Sequence, residues 1–374
     1  MNKLAIIGAS YLQLPAVIKA KEMGLQVHCF AWSEGAVCKD VAHAFYPIST
    51  IDKEAILEKC REIGIDGVMS IASDVAVPTV NYVASALGLT GNKPEYSAIM
   101  TNKFQMRQAL SSKGIPCPFF KRVSSAEELD NMEIPAWPLI VKPTDRSGSR
   151  GVEKVSNMEQ LKEAVKFAIE ESMGKEAIVE SFIEGREISV ESISWQGRHY
   201  VLQITDKVTT GAPYFIELAH HQPSDLPQEI QNRVREMVPR ALDALHIEYG
   251  ASHTEIKITP DGKLFIIETG ARMGGDFIGS NLVKLSTGYD YLQGVINVAL
   301  GRFNEPKISY KAFSGVYFLS QETARLKPVI ENAMDTIPEA VEAEITDPVL
   351  RPIRCSADRS GYLIYSSKKG RLIL

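Results

Sequence analysis

The sequence has no CxxC pair, no apolar run long enough to cross a bilayer, and no repeat or low-complexity tract. Its five cysteines, Cys29, Cys38, Cys60, Cys117 and Cys355, are scattered and odd in number, which argues against a complete disulfide framework and points to a reducing compartment. The apolar run after Lys3 is too short for a signal-peptide core and lacks a cleavage motif, so a cytoplasmic location is expected. A large excess of charge is missing as well. The formal net charge of −5 is spread among interspersed signs, which makes a nucleic-acid backbone or an acidic membrane surface a poor partner. The G-x-G-x-x-G fingerprint of dinucleotide binding is also absent, because Tyr11, Gln13 and Leu14 stand where its glycines would fall after Gly8.

What remains is an ordinary globular composition in a chain of 374 residues, longer than the roughly 250–300 that one core supports. Two or three domains are expected. The opening reads as strand Leu4–Ile7, turn, helix Leu14–Met23, strand Leu25–Phe30, helix Lys53–Glu62 and strand Gly67–Ile71. That alternation predicts a parallel, Rossmann-like sheet, with Gly8, Ser10, Ser73 and Asp74 at its ligand-facing edge. From Pro94 to Gly114 the pattern is helical, and Lys103 taken alone would be a surface lysine. The stretch PLIVKPTDRSGSRGVEKV is more telling. A lysine, Lys142, ends an apolar strand before a loop holding Ser147, Gly148, Ser149 and Gly151, a combination suited to an anion cradle beside a point charge.

After a helix capped by Asn157, two strands joined through Ile183-Glu184-Gly185 carry Glu180, Glu187 and Glu191. Strand Tyr200–Lys207 leads into an expected long loop, Val208–Leu226, with His220 and His221 as either substrate contacts or polar surface. Helix Pro227–Leu245 precedes GASHTEIKITPDGKLFIIETGARMGGD, a hairpin centred on Pro260-Asp261-Gly262. With Asp261-Gly262 as a two-residue loop, Glu255 faces Glu268, unless a bulge at Gly262 shifts the register. Ile256, Ile258, Phe265 and Ile267 then share the apolar face, opposite His253, Glu255, Lys257 and Glu268. Opposed carboxylates repel, so a cation such as Mg²⁺ is expected between them, with Arg272 beside the cluster. The plainer alternative is a solvated edge whose acids pair with Lys257 and Lys263. Helices at Ser280–Leu285 and Tyr289–Leu300 follow, and then short strands with a helical run near Pro328–Met334.

The order Lys103, Lys142 with its Ser/Gly loop, Glu180 to Glu187, then Glu255, Glu268 and Arg272 resembles the ATP-grasp superfamily. The resemblance implies an α/β chain with α+β grasp subdomains. Residues 1–93 would be a pre-ATP-grasp domain and 94–304 the grasp, with a lid at about 115–183 and a large subdomain at about 184–304. Residues 305–374 would form a small β-rich domain. It further implies that Lys103, Lys142, Ser147, Gly148 and Ser149 hold ATP phosphates and that Glu180, Ser181, Phe182 and Ile183 hold adenine. Glu187 would meet the ribose, and Glu255 and Glu268 would bind Mg²⁺, with Mn²⁺ able to substitute. HTEIK and ETGARMGGD look most like the L-amino acid ligases, carboxylate-amine ligases that work through an acyl phosphate and release ADP. Arg272 and Lys142 would then be catalytic, and His220 and Asp276 would touch substrate. Gly270 departs from the asparagine of biotin carboxylase and D-alanine:D-alanine ligase, which leaves a second ion short of a ligand. The resemblance implies small-molecule partners, and a homodimer as many members form. The competing expectations are a bicarbonate- or precursor-activating ATP-grasp enzyme, a nucleotide-binding protein without activity, and a dinucleotide oxidoreductase.

Overall fold

The computed structural model describes every residue except Ser147, Ser149 and Pro213. Strands β1 (Lys3–Ile7), β2 (Gln26–Phe30), β3 (Ala44–Tyr46) and β4 (Gly67–Met69) form a parallel sheet in the order β3-β2-β1-β4. The strands are apolar on both faces because both are covered. Leu4 and Ile6 join a core with helix α1 (Leu14–Glu22), whereas Ala5 and Ile7 pack against α2 (Lys53–Ile63) and α3 (Val77–Ala86). The turn after β1 is plugged. Buried Gln13 accepts hydrogen bonds from Ser10 N (3.1 Å) and Ser10 Oγ (2.8 Å) and donates to the Ile71 carbonyl (2.7 Å). A Cβ at Gly8 would lie 2.9 Å from its side chain, so the place where a dinucleotide pyrophosphate would sit is filled by protein.

The expected helix from Pro94 is cut at Asn102 into α4 (Ser97–Thr101) and α5 (Lys103–Ser112). Asn102 is extended and its side chain accepts from Gln105 N, so it caps α5 and makes Lys103 the first helical residue. The Lys103 N–H donates to the Thr144 carbonyl at 2.7 Å. Next comes a four-stranded antiparallel sheet of β5 (Phe120–Val123), β6 (Leu139–Pro143), β7 (Glu153–Val155) and β8 (Ala177–Ser181), in the order β5-β8-β6-β7. Helix α6 (Met158–Glu171), capped by Asn157, seals one face through Leu161 and Val165.

The third sheet has eight strands: β9 (Arg186–Trp195), β10 (Arg198–Thr209), β11 (Glu217–Gln222), β12 (Gly250–Ile258), β13 (Leu264–Gly270), β14 (Phe313–Leu319), β15 (Ala340–Ile345) and β16 (Gly361–Ser367). Their order is β13-β12-β9-β10-β11-β14-β16-β15, antiparallel throughout. Helix α7 (Gln228–Ala244) covers one face over Ile188, Val190, Ile204 and Ile256. After the short α8 (Val283–Thr287), helix α9 (Tyr291–Ala299) packs Val295 and Ile296 on the other face, in one core with Leu4 and Ile6 of β1. Among the described residues no helix is long and apolar enough to cross a membrane.

Three expectations change. The chain after residue 304, expected as a small β-rich unit, extends the central sheet through β14, β16 and β15 rather than starting another. The expected Val208–Leu226 loop shrinks to residues 210–216, because His220 and His221 lie on β11 opposite Val316 and Gly315 of β14 and are buried there. The hairpin turns through three residues, Pro260 to Gly262, and pairs Ile258 with Leu264 and Ile256 with Ile266. An irregularity at Ile267 then restores the opposition of Glu255 and Glu268. The apolar face therefore holds Leu264 and Ile266, not Phe265 and Ile267.

Gly185 lies where the chain leaves β8 for β9, with φ of 151°, and a Cβ there would fall 2.1 Å from the Ile258 carbonyl oxygen. Gly197, with φ of 74°, has open space at the same position. Gly185→Ala should cost about 2–3 kcal/mol and Gly197→Ala about 1 kcal/mol in urea unfolding. Equal losses would show that the close approach to Ile258 is not a constraint.

Candidate active site

A cleft opens between the four-stranded sheet and the central sheet. It is walled by Lys103, Lys142, Gly148, Glu180 to Ile183, Glu187, Glu255, Glu268 and Arg272. Lys103 is buried because α5 begins at it. Its Nζ donates to the Arg146 carbonyl (2.6 Å) and to Glu268 Oε1 (2.9 Å). One turn further along α5, Arg107 is wholly buried, its Nε 2.7 Å from Glu180 Oε1 though off the N–H axis, and it also donates to the Ile267 carbonyl. Lys142 Nζ, from β6, holds Glu180 Oε2 at 2.7 Å. Burial alone would raise the Glu180 pKa, but Arg107 and Lys142 outweigh it and keep the carboxyl ionised, below its usual range. Burial, with Arg107 nearby, pushes Lys142 down against the pull of Glu180.

Glu255 and Glu268 are ladder partners on β12 and β13. Glu255 Oε1 is 2.6 Å from Lys207 Nζ, and Lys207, with only 3% of its side chain exposed, also lies 2.7 Å from Glu187 and 3.3 Å from Glu217. Glu187 is held from its other oxygen by Lys257 at 3.0 Å. His253 Nδ1 is 2.5 Å from buried Glu191, and its Nε2 is 3.5 Å from Glu255. Burial opposes charge on His253, but Glu191 and then Glu255 raise its pKa to about 9. Among the described residues no group of three His, Cys, Asp or Glu side chains is placed to hold one ion. Two facing carboxylates fit a hard divalent cation that completes its shell with water and phosphate oxygens, and do not suit one that needs an all-protein cage.

Arg272 follows β13 and reaches the N-terminal domain, where its NH2 donates to Asp74 Oδ2 at 2.9 Å. Gly270 gives room for this. A Cβ there would lie 2.8 Å from Asp74 Oδ1 and 3.0 Å from Arg272 Cζ, so no asparagine fits unless that pair moves. His220 and Asp276 stand outside the wall of the cleft. Arg359 takes both oxygens of Asp276, at 3.0 and 2.6 Å, and His220 Nε2 is 3.8 Å away, with its ring edge-on to Phe318. Burial would raise the Asp276 pKa, yet Arg359 and His220 hold it far below the usual carboxylate range.

The other end of the cleft is apolar, with Ile140, Phe182, Ile183, Phe215 and Ile267, and Lys154 sits over the Phe182 ring. Ser147 and Ser149 lie outside the described residues. Arg107, Lys207 and Glu217 were not anticipated. Lys207 ends an alternating apolar strand much as Lys142 does, a signal the sequence offered, whereas Arg107 carries no local signature.

A model of the ATP-grasp domain matches residues 135–280. The alanine–anticapsin ligase of Bacillus subtilis (strain 168) is 26% identical over 268 residues, which is 66% of this chain but 56% of that protein. The chain thus spans little more than half the length of the first curated relatives it matches. The D-alanine–D-alanine ligase of Flavobacterium johnsoniae is 27% identical over 67% of this chain and 79% of its own. The crystal structure of an L-amino acid ligase from Bacillus licheniformis superposes with a TM-score of 0.81 at 26% identity, covering 99% of this chain and 94% of that one. Residues 135–280 thus match the ATP-grasp domain, and in its three sheets, buried lysines and paired carboxylates the whole chain is similar to enzymes that carry it.

Proposed function

We propose that the protein is an ADP-forming carboxylate-amine ligase that joins amino acids through an acyl phosphate. The observation that carries this is the opposition of Glu255 and Glu268, each on its own buried lysine, midway between an apolar slot and Arg272. ATP fits that line in one direction. Adenine enters between Phe182, Phe215 and Ile267 and meets the backbone of Glu180 to Ile183, the ribose lies by Glu187, and the phosphates run to Lys103, Lys142 and Lys207 under the loop around Gly148. In this assignment residues 1–93 and 94–304 are the pre-grasp and grasp domains, and 305–374 closes the central sheet.

Glu255 and Glu268 would hold Mg²⁺, or Mn²⁺ in its place, which when bound supplies charge neutralisation on the phosphate oxygens. Lys103 and Lys207 are already aimed at those carboxylates, so they can turn to phosphate without leaving a buried charge unpaired. Arg272 faces the point where the carboxylate, the departing phosphate and the tetrahedral oxyanion all carry negative charge. Its guanidinium is fixed by Asp74, so little reorganisation is needed as that charge develops. His220 and Asp276 act on substrate through the loop between Arg272 and Phe277, which Arg359 holds in place. Phosphoryl transfer leaves little covalent work to the protein, so positioning and charge dominate. The named ligases among the relatives act on amino acids, which supports the same substrate class here.

Phosphate release from ATP with Mg²⁺ over pairs of amino acids should require both partners and yield ADP. Release with bicarbonate alone, or formation of AMP, would overturn the assignment. Glu268→Gln should lower that rate at least about 100-fold with folding unchanged by circular dichroism. For the Glu180 cluster the prediction concerns pH. The Glu180 pKa is depressed from its ordinary 4.5, so its contribution to stability is present above that pH and is lost as pH falls through the folded value. Arg107→Met should cost about 3–5 kcal/mol at pH 7. The gap from wild type should narrow as pH drops below 4.5, and a gap independent of pH would show that Arg107 acts by packing alone.

A further inference from the structure

A second cleft runs between the N-terminal domain and the four-stranded sheet, lined among others by Ile51, Val75, Pro78, Met100 and Met173. It meets the ATP cleft at one place, where both are walled by Asp74, Lys103, Arg146 and Glu268. Of the acids at that junction, Glu268 is held by Lys103 and faces the cation position. Farther along the first cleft Glu187, Glu217 and Glu255 are gathered on Lys207, and in the second Asp145 accepts from Ser172 Oγ and from the backbone of Met173 and Gly174. Asp74 differs. Its Oδ2 is fixed by Arg272, while Oδ1 accepts no hydrogen bond from the described residues and overlooks the bare backbone of Gly270. Beside it the Arg272 Nε is buried and without a partner among those residues.

We propose that Asp74 Oδ1 binds the ammonium group of the incoming amine, an α-amino acid that arrives through this second cleft. The inference rests on the ligase assignment and adds the seat of the second substrate to it. An α-amine is mostly protonated at neutral pH, so it needs an anion at the point of arrival, and the other carboxylates there are committed. Because Arg272 locks the Asp74 carboxylate, the ammonium is delivered beside the guanidinium that steadies the acyl phosphate. The ammonium gives up one proton to solvent along the second cleft. Its lone pair then attacks the acyl carbon, the C–N bond forms, and the bond to phosphate oxygen breaks. The second proton ends on the leaving phosphate as HPO₄²⁻. Ile51, Val75, Pro78 and Met100 give the amino acid's side chain apolar surface to meet, in a cleft that Lys53, Asp145 and Arg146 also line.

The test compares the amino acid with hydroxylamine, a largely uncharged nucleophile at pH 8 that traps the acyl phosphate as a hydroxamate and needs no ammonium seat. Asp74→Asn should lower kcat/KM for the amino acid about 50-fold, chiefly through KM. Its hydroxamate rate should fall as well, because Asp74 also fixes Arg272, but by at least about 10-fold less than the amino acid rate. Val75→Trp, which fills the second cleft without touching the first, should raise the KM of the amine and leave the KM of ATP in place. If both rates of Asp74→Asn fall together, Asp74 serves only to hold Arg272 and the proposal is wrong. It is equally wrong if the amine KM is unmoved in both variants. Wild-type protein that forms no hydroxamate from any carboxylate would instead remove the ligase assignment itself, and this inference with it.

Discussion

Two carboxylates facing each other across a β-ladder, with Cβ atoms about 5 Å apart, repel unless something positive is brought to each. In this fold the positive groups come from different places. Lys207 reaches Glu255 from β10 of the same sheet, and Lys103 reaches Glu268 from the first residue of a helix outside it. The Lys103 backbone is at the same time tied to the turn after β6 through Thr144. Hairpin, helix and four-stranded sheet are therefore registered on one ion pair. The pair itself depends on the irregularity at Ile267, since a regular ladder continued from the turn would send Glu268 to the face that Ile266 and Ile256 bury.

The same logic extends one layer deeper, where burial makes the balance harder. Arg107, Lys142 and Glu180 are all nearly inaccessible, and taking each ion out of water costs several kcal/mol. An apolar trio of equal volume would serve stability at least as well. What an apolar trio would not do is hold an ammonium in the wall of the cleft. Glu180 aims Lys142 from the strand next to it, and Arg107 keeps Glu180 charged while also gripping the Ile267 carbonyl of the hairpin. Under the proposed function, the cation that would meet phosphate is thus oriented in a dry place beforehand.

Much of this was legible in the sequence because it was local. The turn residues at Pro260 to Gly262 and the alternation around them were enough to set Glu255 against Glu268, although the three-residue turn and the bulge each displaced the register by one in compensating ways. The lysine before the Ser/Gly loop and the missing glycines after Gly8 were equally local. Failures came where a side chain's surroundings are assembled from afar. Lys103 looked like surface because the break at Asn102 is set by one capping hydrogen bond inside a helical pattern. His220 looked like loop because a short strand with two histidines alternates weakly, and only its pairing with β14 makes it a strand. Arg107 had no signal, since its partners lie 73 and 160 residues away by the positions of Glu180 and Ile267.

The N-terminal domain shows how one architecture can keep its geometry and change its use. Parallel sheets of this kind take ligands at the carboxyl ends of their strands, and the edge here points at the cleft as that rule requires. The phosphate position after β1 is nonetheless filled by Gln13, whose hydrogen bonds to Ser10 and Ile71 satisfy the groups a ligand would otherwise meet. What the edge presents to the first cleft is Asp74, and that group is turned toward Arg272 of another sheet. Gly270 is what lets the two domains close to this distance, since any side chain there would stand between the carboxylate and the guanidinium. A glycine that removes a ligand from one position thereby admits an acid from a different domain to the same spot.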